Sequence, residues 1–145
     1  MIVASNCGPY CGFPLFLHVV GAMVLFGGVV SVAILSIVAV RASEHRAVLR
    51  RLSLATLLLL VWPGWIAMRV GGQWVLNHEG LDKDTPGWAG VGFLVADGGL
   101  VLLLVATLLA WLASRRPRLT SWVAGLSLLY LVALGVALFA MSAKP

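Results

Sequence analysis

The chain of 145 residues is 61% hydrophobic and only 10% charged, and its mean hydropathy is +1.05. A water-soluble domain of this length is far more polar, so the composition excludes one and indicates a membrane protein. The formal net charge of +5 predicts contact with anionic lipid head groups and needs no nucleic-acid partner.

Four apolar segments are long enough to cross a hydrocarbon core about 30 Å thick, which takes ~20 helical residues. Runs such as LATLLLLV lack the alternation that is typical of a membrane β-strand. Short loops make consecutive helices antiparallel neighbours. The sequence therefore predicts one all-α domain, an up-and-down bundle of four transmembrane helices at about residues 13–40, 54–76, 88–113 and 122–141.

The segment before the first predicted helix, NCGPYCGFP, contains both cysteines of the chain, Cys7 and Cys11. On the outer side of a membrane an oxidising compartment permits a disulfide between them, and two free thiols are the alternative. Residues 1–12 contain no His, Asp or Glu to complete a coordination shell, so no metal site is predicted there. The apolar run after Pro14 is too long for a signal peptide, and we expect this helix to remain.

The basic residues are concentrated in the first and third loops. RASEHRAVLRRLS contains four arginines and SRRPRLTS contains three, whereas the middle loop holds three acidic residues and one lysine. Because Lys and Arg near helix ends stay in the cytoplasm, both termini are predicted to lie outside a bacterial plasma (inner) membrane. Tryptophans occur where interfacial anchors are expected: Trp74 and Trp88 outside, Trp111 and Trp122 inside.

Pro63, in the stretch VWPGW, interrupts the second predicted helix. Proline has no amide hydrogen and clashes with the carbonyl four residues earlier, here that of Leu59, so a kink is predicted near residues 59–62. The kink either only helps the bundle to pack or opens a cavity lined by Trp62 and Trp65.

Three ionisable side chains lie at similar depth on three predicted helices. With a rise of 1.5 Å per residue, Asp97 lies about 13 Å, Arg69 about 12 Å and His18 about 9 Å from the outer helix ends. A charge near mid-helix costs at least ~2.5 kcal/mol on insertion scales, so it needs a partner, a cavity or a function. Arg69 is the simplest partner of Asp97. The sequence thus predicts an intramembrane polar cluster of His18, Arg69 and Asp97, with Trp62, Trp65 and Gln73 as pocket lining.

Two interpretations of this cluster are open. In the structural one, a buried Arg–Asp pair holds the second and third helices in register, and His18 donates to a backbone carbonyl or to Asp97. In the functional one, a pocket opens to the outer face and binds a small ligand, with QWVLNHEG as a lid.

Missing motifs narrow the chemistry. The sequence has no Gly-rich phosphate loop, no H-E-x-x-H and no G-x-S-x-G, which argues against nucleotide chemistry and conventional hydrolysis. His18 is the one histidine within a predicted span, so a haem would need an unusual second ligand. The inner halves of the spans offer hydroxyls alone, which disfavours a proton or solute conduit: Ser31, Ser36, Thr56, Thr107 and Ser127.

The stretch FLHVVGAMVLFGGVV, residues 16–30, resembles the first helix of uncharacterised four-helix bacterial membrane proteins that are distantly similar to copper-resistance protein D. The resemblance covers one helix. It implies a small inner-membrane protein associated with a metal or haem at His18. The chain departs from a copper-handling pattern, because Met23, Met68 and Met141 form no Met/His cluster in the sequence.

The sequence favours a structural or accessory membrane subunit, without enzymatic activity, that binds a membrane-protein partner or a second copy of itself. The alternative is a membrane module that binds a small ligand or a redox cofactor, quinone or haem. A proton or solute conduit ranks third. No cofactor is firmly implied by the residues, and no metal site is predicted.

Overall fold

The computed structural model describes residues 12–42, 44–78 and 87–142. Every regular element in these ranges is helical, and four spans are long and apolar enough to cross a membrane. The predicted all-α four-helix fold is confirmed. Cys7 and Cys11 lie outside the described residues, as do the last two residues of the predicted lid, so the disulfide and the lid remain predictions.

In chain order the elements are α1 (Gly12–Arg41), α2 (Arg46–Thr56), a π-helical segment (Leu57–Val61), α3 (Trp62–His78), α4 (Gly87–Leu112), a 3-10 turn (Pro117–Leu119) and α5 (Thr120–Ser142). Helix α2, the π-helical segment and α3 together form the second span. The boundaries of the other three spans agree with the predicted ones to within two residues. The second span begins at Arg46 rather than at residue 54, because the amphipathic α2 extends the helix beyond the apolar run.

The second span is irregular beside its proline, as the sequence predicts. The turns before Pro63 widen into the π-helical segment, which ends with a hydrogen bond from the N–H of Trp62 to the carbonyl of Leu57. A π-helical turn inserts one extra residue into the hydrogen-bond ladder. The disturbance predicted as a kink therefore takes the form of a widened turn, and the helix continues through it.

Glycines create the closest contact between helices, which joins α1 to α3. A Cβ atom on Gly64 would lie 2.7 Å from the backbone nitrogen of Leu25, and one on Gly21 would overlap the backbone of Met68. Close backbone approach at small residues is a common packing mode of membrane helices. Two glycine stripes thus meet here, one on each helix, and the glycines of each recur after seven residues: Gly21 and Gly28 on α1, Gly64 and Gly71 on α3.

The other helix pairs are packed less evenly. Helix α1 also packs along α5, and α5 along α4, but α3 and α4 contact each other sparsely. Long side chains of the second span bridge this α3–α4 seam. The indole Nε1 of Trp62 donates to the hydroxyl of Thr107 at 3.1 Å, and that of Trp65 donates to the carbonyl of Ala96 at 2.9 Å. The glycine contacts hold α3 against α1, which leaves a gap towards α4.

Helix α4 packs on α5 through side chains set into glycine notches. The ring of Tyr130, which is 1% exposed, lies against Gly99, and the end of Met141 lies against Gly92. The glycines of the third span therefore receive side chains of α5.

Arginines connect the helix ends at the end of the bundle where α1 and α4 end. Arg46 Nε donates to the carbonyls of Ala39 and Ala42, at 3.2 and 3.1 Å, and Arg50 Nη1 donates to that of Ala113 at 2.6 Å. The last carbonyls of a helix lack partners within it, and a cation suits the negative end of the helix dipole. The remaining arginines at this end are exposed: Arg41, Arg51, Arg115, Arg116 and Arg118.

Candidate ligand-binding cavity

A cavity of about 460 Å³ lies between the four spans, at the end of the bundle where α1 and α4 begin. Its wall comes from the first half of α1, the second half of α3, the beginning of α4 and the end of α5. Among the described residues that line it, His18 and Arg69 are the only polar ones. Small-molecule sites have this character, since they combine a mostly apolar wall with few polar groups.

The imidazole of His18 is fixed by the backbone of α3. Its Nδ1 lies 2.8 Å from the carbonyl oxygen of Met68. A carbonyl can only accept, so Nδ1 carries the hydrogen, and the Nε2 of a neutral ring keeps its lone pair. Gly72 makes room for the ring, because a Cβ atom there would lie 2.9 Å from Nδ1. Nε2 forms no hydrogen bond with any described residue and is thus the free polar atom of this side chain.

The guanidinium of Arg69 is held from three directions. Its Nε donates to Asp97 Oδ1 at 3.1 Å, and its Nη1 donates to Gln73 Oε1 at 3.0 Å. Its central carbon lies 4.7 Å from the centre of the Phe93 ring, which is within cation–π range. The amide of Gln73 donates in turn to Asn77, so a hydrogen-bonded ladder runs along α3 to its end.

The predicted ion pair between Arg69 and Asp97 is present, but its two members lie in different surroundings. The side chain of Arg69 is 27% exposed, whereas that of Asp97 is 61% exposed. Arg69 lines the cavity and Asp97 does not. The expectation that the pair is buried in the bundle is therefore wrong for Asp97, which lies on the outer side of the α3–α4 seam.

The structure assembles the predicted polar cluster only in part. Arg69 joins Asp97 by an ion pair and shares the cavity wall with His18, while no bond links His18 to Asp97. Of the two alternatives for the histidine, the hydrogen bond to a backbone carbonyl is the one observed.

The residues predicted to line the pocket do not line this cavity. The indoles of Trp62 and Trp65 turn to α4, where each donates a hydrogen bond. The amide of Gln73 accepts a hydrogen bond from Arg69 and donates one to Asn77. The prediction that these residues line the pocket is therefore wrong. The glycine contacts with α1 set the rotation of α3, and this rotation directs both tryptophans into the α3–α4 seam.

Sequence reasoning missed the thioethers and the whole contribution of α5. Met68 and Met141 line the same cavity as His18, whereas Met23 is 70% exposed. The cavity-lining positions of α5 follow a helical spacing that marks one face but does not distinguish a cavity wall from a packed core: Leu134, Ala137, Leu138 and Met141.

The half of the bundle away from the cavity is filled with apolar side chains. Leu25, Val29 and Val32 of α1 and Leu57 and Val61 of the second span are at most 2% exposed. The hydroxyls singled out there bond locally: Ser31, Thr56, Thr107 and Ser127 donate to carbonyls of their own helices, and Ser36 pairs with Ser53. Among the described residues, no polar path continues inward from the cavity.

Comparison with known proteins gives no relative. No protein-family model matches the chain, and neither a curated protein nor a solved structure is significantly similar to it. Within the described ranges, no group of three or more His, Cys, Asp or Glu residues could hold a metal ion. The cavity and its two polar residues are therefore the features of the molecule that bear on its function.

Proposed function

We propose that the protein is a membrane-embedded binding protein that takes a small, mainly apolar ligand into the cavity between its four spans. The observation that carries the proposal is the cavity itself, about 460 Å³, with His18 and Arg69 in an otherwise apolar wall. Its volume falls within the range of roughly 300–1,000 Å³ that small-molecule sites occupy.

A purely structural role accounts less well for this geometry. An Arg–Asp pair that only holds two helices in register needs no cavity beside it, and an empty one forfeits packing contacts. The other half of the same bundle is closely packed, with fully buried side chains at Leu25, Val32 and Val61. The cavity at one end of the bundle thus favours a ligand-binding role over a purely structural one.

The cavity wall suits an amphiphile such as a quinone better than it suits haem. The hydrogen bond from His18 Nδ1 to Met68 orients the ring as second-sphere bonds orient axial histidines. A haem would need a second axial ligand, for which Met68 and Met141 are the thioethers in the wall. A quinone or related amphiphile requires only hydrogen bonds and apolar contact.

Filling the cavity should expel the ligand. Ala137 lines the cavity, whereas its neighbour Val136 is 53% exposed on the outside of α5. We expect a bound amphiphile in the wild-type protein and in Val136→Phe, but not in Ala137→Phe, when solvent extracts of the purified proteins are compared by mass spectrometry. Visible spectra of the oxidised and reduced proteins decide on haem. Identical extracts and featureless spectra from all three proteins would refute ligand binding in the cavity.

The location of the protein belongs to the proposal. The arginines at the inner end support a bacterial plasma membrane with both termini outside, and there they meet anionic lipids. The cavity then opens in the outer leaflet. The resemblance of the first helix to proteins distantly similar to copper-resistance protein D is compatible with this placement, and His18 is the residue it shares with the cavity.

A second observation favours an accessory role in addition. Asp97 is 61% exposed on a face of α4 where Gly90 and Gly98 have open space beside them. A carboxylate on a lipid-facing surface is costly, so a transmembrane helix of a partner protein that donates a hydrogen bond to Asp97 fits this face. A photo-cross-linking residue at Leu94 should then form a discrete adduct that Asp97→Asn abolishes, while the same residue at Phe139 on α5 should form none.

A further inference from the structure

The charges of the described residues at the cavity disfavour a charged head group on the ligand. Arg69 is already paired with Asp97, so the two residues together carry no net charge. A second anion at this place would lie near the carboxylate, and a cation would lie near the guanidinium. An unpaired charge in apolar surroundings is expensive, so the favoured head group is neutral.

The fixed ring of His18 specifies the direction of one hydrogen bond. Because Nδ1–H is committed to the carbonyl of Met68, a neutral ring offers only the lone pair of Nε2. A ligand that bonds to this atom must donate a hydrogen. Ketone and ether oxygens cannot do so.

Arg69 provides hydrogen-bond donors in the same cavity. Two of its five N–H groups are used, one by Asp97 and one by Gln73, so others remain to donate. Its backbone is adjacent to Met68, whose carbonyl holds His18, and both side chains line the cavity. The cavity therefore presents an acceptor at His18 and donors at Arg69, and a hydroxyl group, which can both donate and accept, suits either.

We propose that the cavity selects neutral amphiphiles that carry a hydroxyl group, such as alkylphenols, quinols or long-chain isoprenoid alcohols, over their ether and ketone counterparts. The hydroxyl donates to His18 Nε2, while the apolar body lies against α4 and α5. This inference rests on the proposed function and narrows the chemical class of its ligand, because within a quinone–quinol pair it selects the quinol.

The test compares 4-nonylphenol with its methyl ether, 4-nonylanisole, which has nearly the same shape but no hydrogen to donate. Dissociation constants are measured by calorimetry in one detergent for the wild-type protein, His18→Phe and Ala137→Phe. The cavity-filled variant corrects for partition of each probe into the micelle. We expect wild-type protein to prefer the phenol by about five- to tenfold, the usual worth of one hydrogen bond. His18→Phe should lose this preference.

The outcomes separate the two proposals. Equal affinity of the wild-type protein for both probes would overturn the selection of hydroxyl groups and leave cavity binding intact. If neither probe binds the wild-type protein better than Ala137→Phe, ligand binding in the cavity fails as well.

A measurement on the wild-type side chain covers the case in which His18→Phe does not fold. With ¹⁵N-labelled histidine, and with His45 and His78 replaced for assignment, the phenol should shift the Nε2 resonance of His18 and the ether should not. A proton found on Nε2 and absent from Nδ1 would overturn the inference directly.

Discussion

At the scale of single residues, Arg69 organises the site more than Asp97 does. The guanidinium contacts a carboxylate, an amide and an aromatic ring, and it lines the cavity, whereas Asp97 has one described partner and is largely exposed. Removing Asp97 therefore leaves Arg69 with two of its three contacts. Removing Arg69 leaves a carboxylate without any partner among the described residues.

The Arg69–Asp97 pair should show coupling of modest size. Because polar side-chain contacts between membrane helices couple by about 1 kcal/mol, we expect Arg69→Gln and Asp97→Asn each to lower the free energy of unfolding in detergent by about that amount. The double variant should recover part of the loss, since neither charge is then unpaired. Thermal unfolding of the four proteins provides the double-mutant cycle. Strictly additive effects would show that the pair contributes no coupling energy.

The ion pair could be predicted from the sequence, but the position of the tryptophans could not. Two opposite charges at matching depth in hydrocarbon have few other partners, so Arg69 and Asp97 find each other in almost any bundle that makes their helices neighbours. Trp62 and Trp65 have no such constraint. Their direction follows from the rotation of α3, which depends on a contact between glycines that are distant in sequence.

At the scale of elements, the contact between α1 and α3 is the most demanding in the bundle. The backbones meet at glycines, and the ring of His18 packs over Gly72 on the same surface. Any side chain added there must push the two helices apart. The cavity wall would then change with them, since His18 is held by the backbone of α3.

Adding a single methyl group should distinguish this contact from other glycines. Gly64→Ala places a Cβ atom 2.7 Å from the backbone of Leu25, so we expect it to destabilise the protein by about 1–3 kcal/mol, as overpacking does. Gly135→Ala, on α5, has open space and should be neutral or stabilising by up to about 1 kcal/mol, because alanine favours a helix. Thermal unfolding in the same detergent measures both variants. Equal shifts would contradict the glycine contact.

The arginines at the end of the bundle away from the cavity should differ in their effect on stability. Arg50→Met removes the hydrogen bond to the carbonyl of Ala113, a loss of about 1–2 kcal/mol for a charged donor. Arg51→Met changes an exposed side chain of the same charge and should shift the unfolding temperature little. A similar loss in both variants would indicate that charge, and not the bond between helix ends, sets the stability of this end.

At the scale of the whole molecule, the fold could be predicted because apolar length and short loops determine it. Four runs of sufficient length leave one simple topology when their loops are short. The cavity could not be predicted in the same way. Its volume is what remains after all four spans have packed, and the end of α5 contributes to it without one ionisable residue.

Labelling of introduced cysteines tests the predicted orientation. With Cys7 and Cys11 replaced by serine, a membrane-impermeant maleimide should label Asn77→Cys in intact spheroplasts and should label His45→Cys only after permeabilisation. Both positions are exposed and lie at opposite ends of the second span. The reverse pattern would place both termini in the cytoplasm and the cavity in the inner leaflet.

If the cavity binds a ligand as proposed, the sparse contact between α3 and α4 bears on the phase from which that ligand comes. The seam between these membrane-spanning helices faces the acyl chains, so the proposed amphiphile would arrive by lateral diffusion within the leaflet. Partition into the bilayer concentrates such a molecule far above its level in water, and occupancy follows that local concentration. Under the proposed function the site would consequently be filled at a weak intrinsic affinity and would exchange its occupant quickly, as a carrier or sensor of a membrane-dissolved compound requires.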